Sequence, residues 1–449
     1  MNNNKFNIPF ITLPIFGIVV FLIGCSSNID IENTEEDTPD SSFYLLDTNS
    51  IQEEYCKMTE NLNKLESFLF FTDPHLTDYD RYQDVTEAVR NGYISTVLKV
   101  YNSLPLDYCI CGGDWLNTNH TVSEACGFLG YWDAYMRKHF HNYLPVFGNH
   151  DFNPYWGIYG KGISYNPDFL SHITVNNLSF RENKGSWYSY DGLQTKFYVL
   201  DTGLSFPEYN NSMSVEESNP YAGFINNRWP QVAWLADKLL TDDAEHSIIF
   251  SHIYSLGLLG PEPTWNNQAN IQTFAKTIRE LCVAYNKRQS ISLNGTTYVF
   301  NKCTGRVEIN IVGHAHFDYV DTEMEVPIFV VTDLKGGYYD GNGQRLHALI
   351  PTFDCCLADY DNKKLKALRV GAGVSRIVNF ENSTVSIGDS ITIETELHGK
   401  ITWENRDITK VSLSASNTKA ILTGVSAGVV GIVAADSNGK EEYFTIVVS

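Results

Sequence analysis

Gly148-Asn149-His150-Asp151 follows directly on the apolar run Leu144-Pro145-Val146-Phe147. An amide, an imidazole and a carboxylate therefore stand where a buried strand gives way to a glycine turn. In α/β sheets ligands sit at the carboxyl ends of strands, which makes this turn a candidate site. Taken alone it is weak, because a single Asp after a strand is usually a turn former and a single His usually a satisfied structural residue. The reading depends on whether other strands deliver matching groups.

They do. Phe68-Leu69-Phe70-Phe71 runs into Thr72-Asp73-Pro74-His75, where the strand period of two is expected to aim Asp73 and His75 to one side. Tyr108-Cys109-Ile110-Cys111 runs into Gly112-Gly113-Asp114, and Ser247-Ile248-Ile249-Phe250 into Ser251-His252. Val307-Glu308-Ile309-Asn310-Ile311-Val312 runs into Gly313-His314-Ala315-His316. With Leu144 to Phe147, five apolar runs end in Asp, Asn or His. Carboxylate and imidazole are ligands for divalent cations of intermediate hardness, and burying that many polar groups without a metal to pair them is costly. Together the five ends predict a metal site.

The runs alternate with helix-like stretches at 85–103, 122–140 and 229–240, and further strands are expected at 196–200, 327–331 and within 351–370. Such alternation argues for an α/β core. Beyond residue 373 the texture changes to short alternating runs with turn residues and no helix pattern, as expected of a β-sandwich.

At 449 residues and 50.7 kDa the chain is long enough for two or three units. A formal charge of −21 argues against a surface built for nucleic-acid backbones, which needs a local excess of Lys and Arg. It does not bar a small anionic substrate, since bound cations reverse the sign of a pocket. Residues 1–24 place Lys5 ahead of an apolar stretch that ends in Leu22-Ile23-Gly24-Cys25, the layout of a secretory signal peptide. The ending resembles the bacterial lipobox, which implies an acylated Cys25 and a lipid anchor in the bacterial cell envelope. A membrane-spanning anchor is the alternative, and the stretch is short for one. Residues 25–63, which include Glu35-Glu36-Asp37, read as that Cys followed by an acidic tether.

Export brings oxidising surroundings. Of the nine cysteines, Cys282 and Cys303, on either side of a hairpin with an Asn294-Gly295 turn, are the preferred pair. Cys109 and Cys111 occupy alternate positions of an apolar run and read as small core residues rather than as a Cys-x-Cys metal site.

In order and spacing the five blocks resemble the calcineurin-like metallophosphoesterase family, whose pattern is Asp-x-His, Gly-Asp, Gly-Asn-His-Asp or Glu, a lone His, then Gly-His-x-His. All five are present from Asp73 to His316. The resemblance implies an α/β (α+β) fold over residues 64–372, a four-layer αββα sandwich with two mixed sheets inside and helices outside. Residues 373–449 resemble bacterial Ig-like modules through Ile401-Thr402-Trp403 and Leu422-Thr423-Gly424-Val425-Ser426-Ala427-Gly428, implying a small all-β sandwich.

The family resemblance also implies two divalent metal ions. Asp73, His75 and His316 would hold one, Asn149, His252 and His314 the other, and Asp114 would bridge them. Two such ions lower the pKa of a bridging water, so that hydroxide is the nucleophile near neutral pH, and they clamp the phosphoryl oxygens. His150 would face the leaving-group oxygen as its acid. Asp151 would orient and charge that ring, or is only a turn residue. Purple acid phosphatases in this superfamily carry a metal-bound Tyr three residues after the Gly-Asp aspartate. Asn117 stands there in this chain, so an iron-tyrosinate site is disfavoured and the donors suit manganese, zinc or iron(II).

The implied activity is hydrolysis of a small phosphorylated substrate, a monoester, diester or nucleotide, outside the cytoplasm. Loops at the same end of the sheet set specificity. Tyr155, Trp156, Tyr159 and Tyr165 offer stacking surfaces or only pack their loop, and His120 and Gly336-Gly337-Tyr338-Tyr339 are further rim candidates. The rival reading is a cell-surface binding or adhesion lipoprotein, its Ig-like tail engaging a surface glycan or protein and its metal site vestigial. The complete ligand set favours hydrolysis.

Overall fold

The computed structural model describes residues 47–60, 62–76, 87–116, 122–148, 150–151, 187–202, 222–253, 269–322, 324–339 and 345–449. The signal peptide, Cys25, most of the tether, Asn117, His120, Asn149 and the aromatic loop at 152–165 lie outside the described residues.

In chain order the first strands are β1 (Leu65–Phe71), β2 (Tyr108–Cys111), β3 (Tyr143–Pro145), β4 (Tyr188–Asp191), β5 (Lys196–Val199) and β6 (His246–Phe250). A hairpin, β7 (Ser290–Leu293) and β8 (Thr296–Val299), precedes β9 (Arg306–Val312), β10 (Tyr319–Asp321) and β11 (Ile328–Val330). A second hairpin, β12 (Gly337–Tyr339) and β13 (Arg345–His347), is followed by β14 (Phe353–Asp359), β15 (Lys364–Val370) and β16 (Arg376–Asn379). The tail adds β17 (Ser383–Val385), β18 (Ser390–Glu394), β19 (Thr402–Asn405), β20 (Val411–Ser416), β21 (Lys419–Gly424), β22 (Gly428–Ala435) and β23 (Glu441–Val448).

Two mixed sheets face each other. In the first, β1 lies parallel to β2 and antiparallel to β14, and β2 is parallel to β3. In the second, β9 lies parallel to both β6 and β11, while β5 is parallel to β6. Strand β1 is buried along nearly its whole length because it is covered on both faces, which is why its sequence is continuously apolar. Between the sheets Phe68 meets Phe250 edge-on at 5.5 Å and Phe70 stacks on the same ring at 5.9 Å. Helix Ala269–Asn286 packs on β9 and on helix Ala222–Asp242, while helix Thr48–Thr59 packs on β15 and on helix Glu87–Ser103. No described helix is long and apolar enough to cross a membrane.

Several expectations change. The last part of the expected tether is helical: Asp47 caps Thr48–Thr59 by accepting from the backbone N–H groups of Asn49 and Ser50. Ile51, Tyr55 and Met58 recur at helical spacing, and Tyr55 is buried in the main core. Cys282 and Cys303 are free thiols, as are all seven described cysteines. Buried Cys109 and Cys111 sit in the main core, and desolvation pushes both thiols up, so neither is a ready metal ligand.

Strands of the tail continue the first sheet. Strand β16 is antiparallel to β15 and parallel to β23, which carries β22 and then β19. The tail strands also enclose an apolar cluster that includes Ile377, Val411, Leu422, Ile432 and Ile446. At the junction four charges cluster, three of them buried and Asp318 partly exposed. Arg369 and Arg376 each reach both Asp354 and Asp318, at 2.6–3.0 Å.

Candidate metal centre

The carboxyl ends of β1, β2 and β3 meet those of β6 and β9 across the sandwich, and the expected donors among the described residues arrive there, Asn149 lying outside them. The strand period is not what brings Asp73 and His75 together. Strand β1 ends at Phe71, and both residues have left-handed backbone, φ 51° and 43°. Asp114, His314 and His316 do too, with φ 57°, 68° and 56°. Such backbone in a residue other than glycine costs about 1–3 kcal/mol, tolerated where the surroundings over-determine it. The strain coils each loop back so that its side chains face inward.

Glycines permit this crowding. A Cβ on Gly148 would lie 2.0 Å from Asp114 Oδ1, and one on Gly313 would lie 2.0 Å from Thr72 Oγ1. The motif glycines are therefore where neighbouring ligand loops touch.

Asp73 is fully buried and divides its two oxygens. Oδ2 accepts from Thr72 Oγ1 at 2.7 Å and from the backbone N–H of His314 at 2.9 Å. Oδ1 accepts no hydrogen bond, and ring nitrogens crowd it instead: His316 Nε2 at 3.0 Å, His252 Nε2 at 3.8 Å and His75 Nε2 at 3.9 Å. Asp114 repeats the pattern. Its Oδ1 accepts from the backbone N–H of His150 at 2.8 Å, and its Oδ2 faces His252 Nε2 at 3.2 Å, His150 Nε2 at 3.8 Å and His75 Nε2 at 4.0 Å.

The far sides of two rings are engaged. His75 Nδ1 donates to the carbonyl of Leu116 at 2.9 Å and His252 Nδ1 to that of Gly112 at 2.7 Å. A carbonyl only accepts, so Nδ1 holds the proton and Nε2 is turned toward the carboxylates. Thr202 Oγ1 fixes the His252 loop by accepting from the backbone N–H groups of His252 and Ile253. Among the described residues four groups of three could hold an ion: Asp73 with His75 and His316, Asp114 with His252 and His314, and two that share their members, His75 with Asp114 and His150, and His316 with Asp333 and His347. A buried carboxylate oxygen without a hydrogen bond, Asp73 Oδ1, ringed by imidazoles beside a second buried carboxylate, fits divalent cations.

Asp151 takes a different place from the one expected. Its Oδ2 accepts from the backbone N–H groups of Gly148 and Asp114, and its Oδ1 from those of Trp115 and Leu116. Four amides hold both oxygens, so Asp151 braces the Gly-Asp loop instead of charging the His150 ring. Burial and the neighbouring Asp114 push its carboxyl upward, and the Gly148 and Leu116 amides pull it back.

Sequence reasoning passed over Asp333 and His347. Asp333 Oδ2 lies 2.8 Å from His316 Nδ1 and 3.0 Å from His347 Nδ1. The signal was present, since the run over 327–331 also ends in a buried Asp. Buried Lys335, close enough to depress His75, was missed as well.

Loading of an ion is expected to displace a proton from His252. Burial drives His75 down to about 3 and His314 down to about 4, so both are neutral at physiological pH. Burial also disfavours charge on His252, but Asp114 and Asp73 overcome it and raise that ring to about 10. A metal ligand must be neutral imidazole, so loading expels the His252 proton. Affinity is expected to rise with pH by about tenfold per unit between roughly 7 and 9 and to level off above the raised pKa, the slope of one released proton. Calorimetry in buffers of different ionisation enthalpy measures this, and uptake at pH 7.5 with no proton released contradicts it.

The sequence pattern of the family described as calcineurin-like phosphoesterase matches residues 67–316, more than half of the chain. No curated protein matches the sequence. Among solved structures, a dimetal phosphatase from Danio rerio is 12% identical, with 70% of this chain and 99% of that one covered at a TM-score of 0.46. A purple acid phosphatase from yellow lupin (Lupinus luteus) seeds is 11% identical, covering 86% and 54% at a TM-score of 0.37. A phosphopantetheinyl hydrolase from Mycobacterium tuberculosis is 14% identical, covering 60% and 90% at a TM-score of 0.33.

Proposed function

The chain belongs to the calcineurin-like phosphoesterase family and is a metal-dependent phosphoesterase, and on that premise we propose that it hydrolyses a small phosphate ester with two divalent ions. Asp73, His75 and His316 would hold one ion, Asn149, His252 and His314 the other, with Asp114 between them. The observation that carries this is the pair of donor groups meeting at two carboxylates, with Asp73 Oδ1 buried and without a hydrogen bond. Held by these residues, divalent ions would supply a nucleophilic hydroxide near neutral pH and attraction for the anionic phosphoryl group. Manganese, zinc and iron(II) all suit the donors.

His150 completes the reaction as the leaving-group acid. Its side chain is 27% exposed, against 8% or less for His75, His252 and His316, so it borders the donor groups from the open side. Its ring meets that of His75 at 4.9 Å. His150→Ala is expected to keep both ions and to lose about 10²–10⁴-fold in kcat for esters with poor leaving groups, less for activated aryl esters. A fall in metal content in that variant would instead make His150 a ligand.

The activity is tested on protein stripped of metal and returned to manganese, with aryl phosphate mono- and diesters as substrates. Metal bound without turnover of any ester would sink the proposal. It extends to location: export behind residues 1–24 and a lipid anchor on Cys25 would put the activity outside the cytoplasm. Wild-type protein should then fractionate with membranes and Cys25→Ser should not; equal fractionation argues against the anchor.

A further inference from the structure

Building on the two-ion reading, we infer that Asp333 and His347 are positioning residues for His316, and that they tie the β12–β13 hairpin to one ion. Asp333 is fully buried just after β11. Its Oδ2 is shared by two rings, His316 Nδ1 at 2.8 Å and His347 Nδ1 at 3.0 Å, and its Oδ1 accepts from the backbone N–H of Gly337 at 2.6 Å. The turn around it is locked from both directions. Thr332 Oγ1 donates to the Gly337 carbonyl, and the backbone N–H of Leu334 donates to the carbonyl of Thr72, next to Asp73. A Cβ at Gly337 would lie 2.1 Å from the His316 carbonyl oxygen, so only glycine lets the hairpin approach that closely.

An imidazole offers its lone pair on one nitrogen only when the proton is kept on the other. The Asp333 charge, 2.8 Å from Nδ1, favours the His316 proton on that atom and leaves Nε2 for the cluster, where it lies 3.0 Å from Asp73 Oδ1. His347, paired with Gly337 across the hairpin, takes a share of the same oxygen. The hairpin at the expected substrate rim therefore bears on the orientation and basicity of one metal ligand. These three side chains are also close enough to hold an ion of their own. His316 would then have to serve two metals through its two nitrogens, so the positioning role is the better account.

Asp333→Asn tests this in the full chain. The amide keeps an acceptor for Gly337 but presents an N–H to His316, moving that ring's proton onto Nε2, the metal-facing atom. Cobalt(II) titration followed by visible absorption is expected to show two ions in the wild type. The variant should keep one at wild-type affinity and bind the other about 10–100-fold more weakly, with only that ion's bands altered. His347→Gln changes a side chain at the edge of the cluster and guards against misfolding of the first variant. It should weaken the same ion severalfold, with its bands displaced in the same direction. Titrations of both variants that superimpose on the wild type overturn the inference and leave the two-ion reading standing. Three ions in the wild type, the third lost in His347→Gln, overturn it in favour of a separate site. A wild type that binds no cobalt removes the reading on which it rests.

Discussion

Asp114→Asn is expected to lower the occupancy of both ions and to cut kcat/KM by roughly a thousandfold or more. Asp114 Oδ2 faces rings from both donor groups, His75 at 4.0 Å and His252 at 3.2 Å, while Oδ1 holds the His150 loop. The amide can still accept from the His150 N–H, so the loop is retained and the charge alone is lost. A carboxylate shared by two cations supports both, and metal-assisted charge stabilisation is worth several kcal/mol of barrier. At 1.36 kcal/mol for each factor of ten, that loss corresponds to about three orders of magnitude. The variant separates metal loss from misfolding if its thermal unfolding without metal is measured beside its metal-to-protein ratio after dialysis. Two ions per chain with undiminished turnover would refute a bridging role.

Removing residues 373–449 is expected to abolish cooperative folding of the remainder, which tests whether residues 64–372 form an independent domain. The cut strips β16 from β15, leaving that strand as a raw edge along residues 364–367. It also removes Arg376, which neutralises Asp354 and Asp318, donates to the Val330 carbonyl at 2.8 Å and covers the Phe329 ring at 4.0 Å. Taking one partner from a buried ion cluster costs about 3–5 kcal/mol, because the remaining charges stay buried without their full complement. Val378, Phe380, Val433 and Tyr443 leave the main core as well, and Arg406 no longer reaches the Val320 carbonyl or the Tyr319 ring. Against a total stability of about 5–15 kcal/mol, these losses together are decisive. Chemical denaturation followed by tryptophan fluorescence checks the outcome. A truncated chain with a sharp transition at the wild-type midpoint would show the first unit to be self-sufficient.

The strands that carry the donors were legible because each is short, apolar and closed by a distinctive polar end. Tyr108–Cys111 matches its expected bounds, and Phe71, Phe250 and Val312 each end an observed strand where the polar ends begin. Other features were not legible. The helix over 48–59 rests on three apolar residues in an acidic surrounding, too few for a periodic pattern to stand out. A Cys pair flanking a hairpin says nothing about whether its thiols approach, and Cys282 and Cys303 do not bond. Asp151 follows His150 in sequence, which suggested a partnership; the turn sends its carboxylate to the amides of Asp114, Trp115 and Leu116 instead.

The sequence by itself determined the donor types, their order and the strand ends that carry them, because hydrophobic runs and polar stops are local properties. Tertiary structure alone decided which oxygen of Asp73 is left without a hydrogen bond, which nitrogen of His75 and of His252 is turned toward the carboxylates, and that Asp333 stands behind His316. It also decided that the tail completes the first sheet, through Arg376 and strand β16. The reason is physical: a side chain's partner is set by how distant loops coil past one another, through left-handed turns and glycine contacts that no local period encodes.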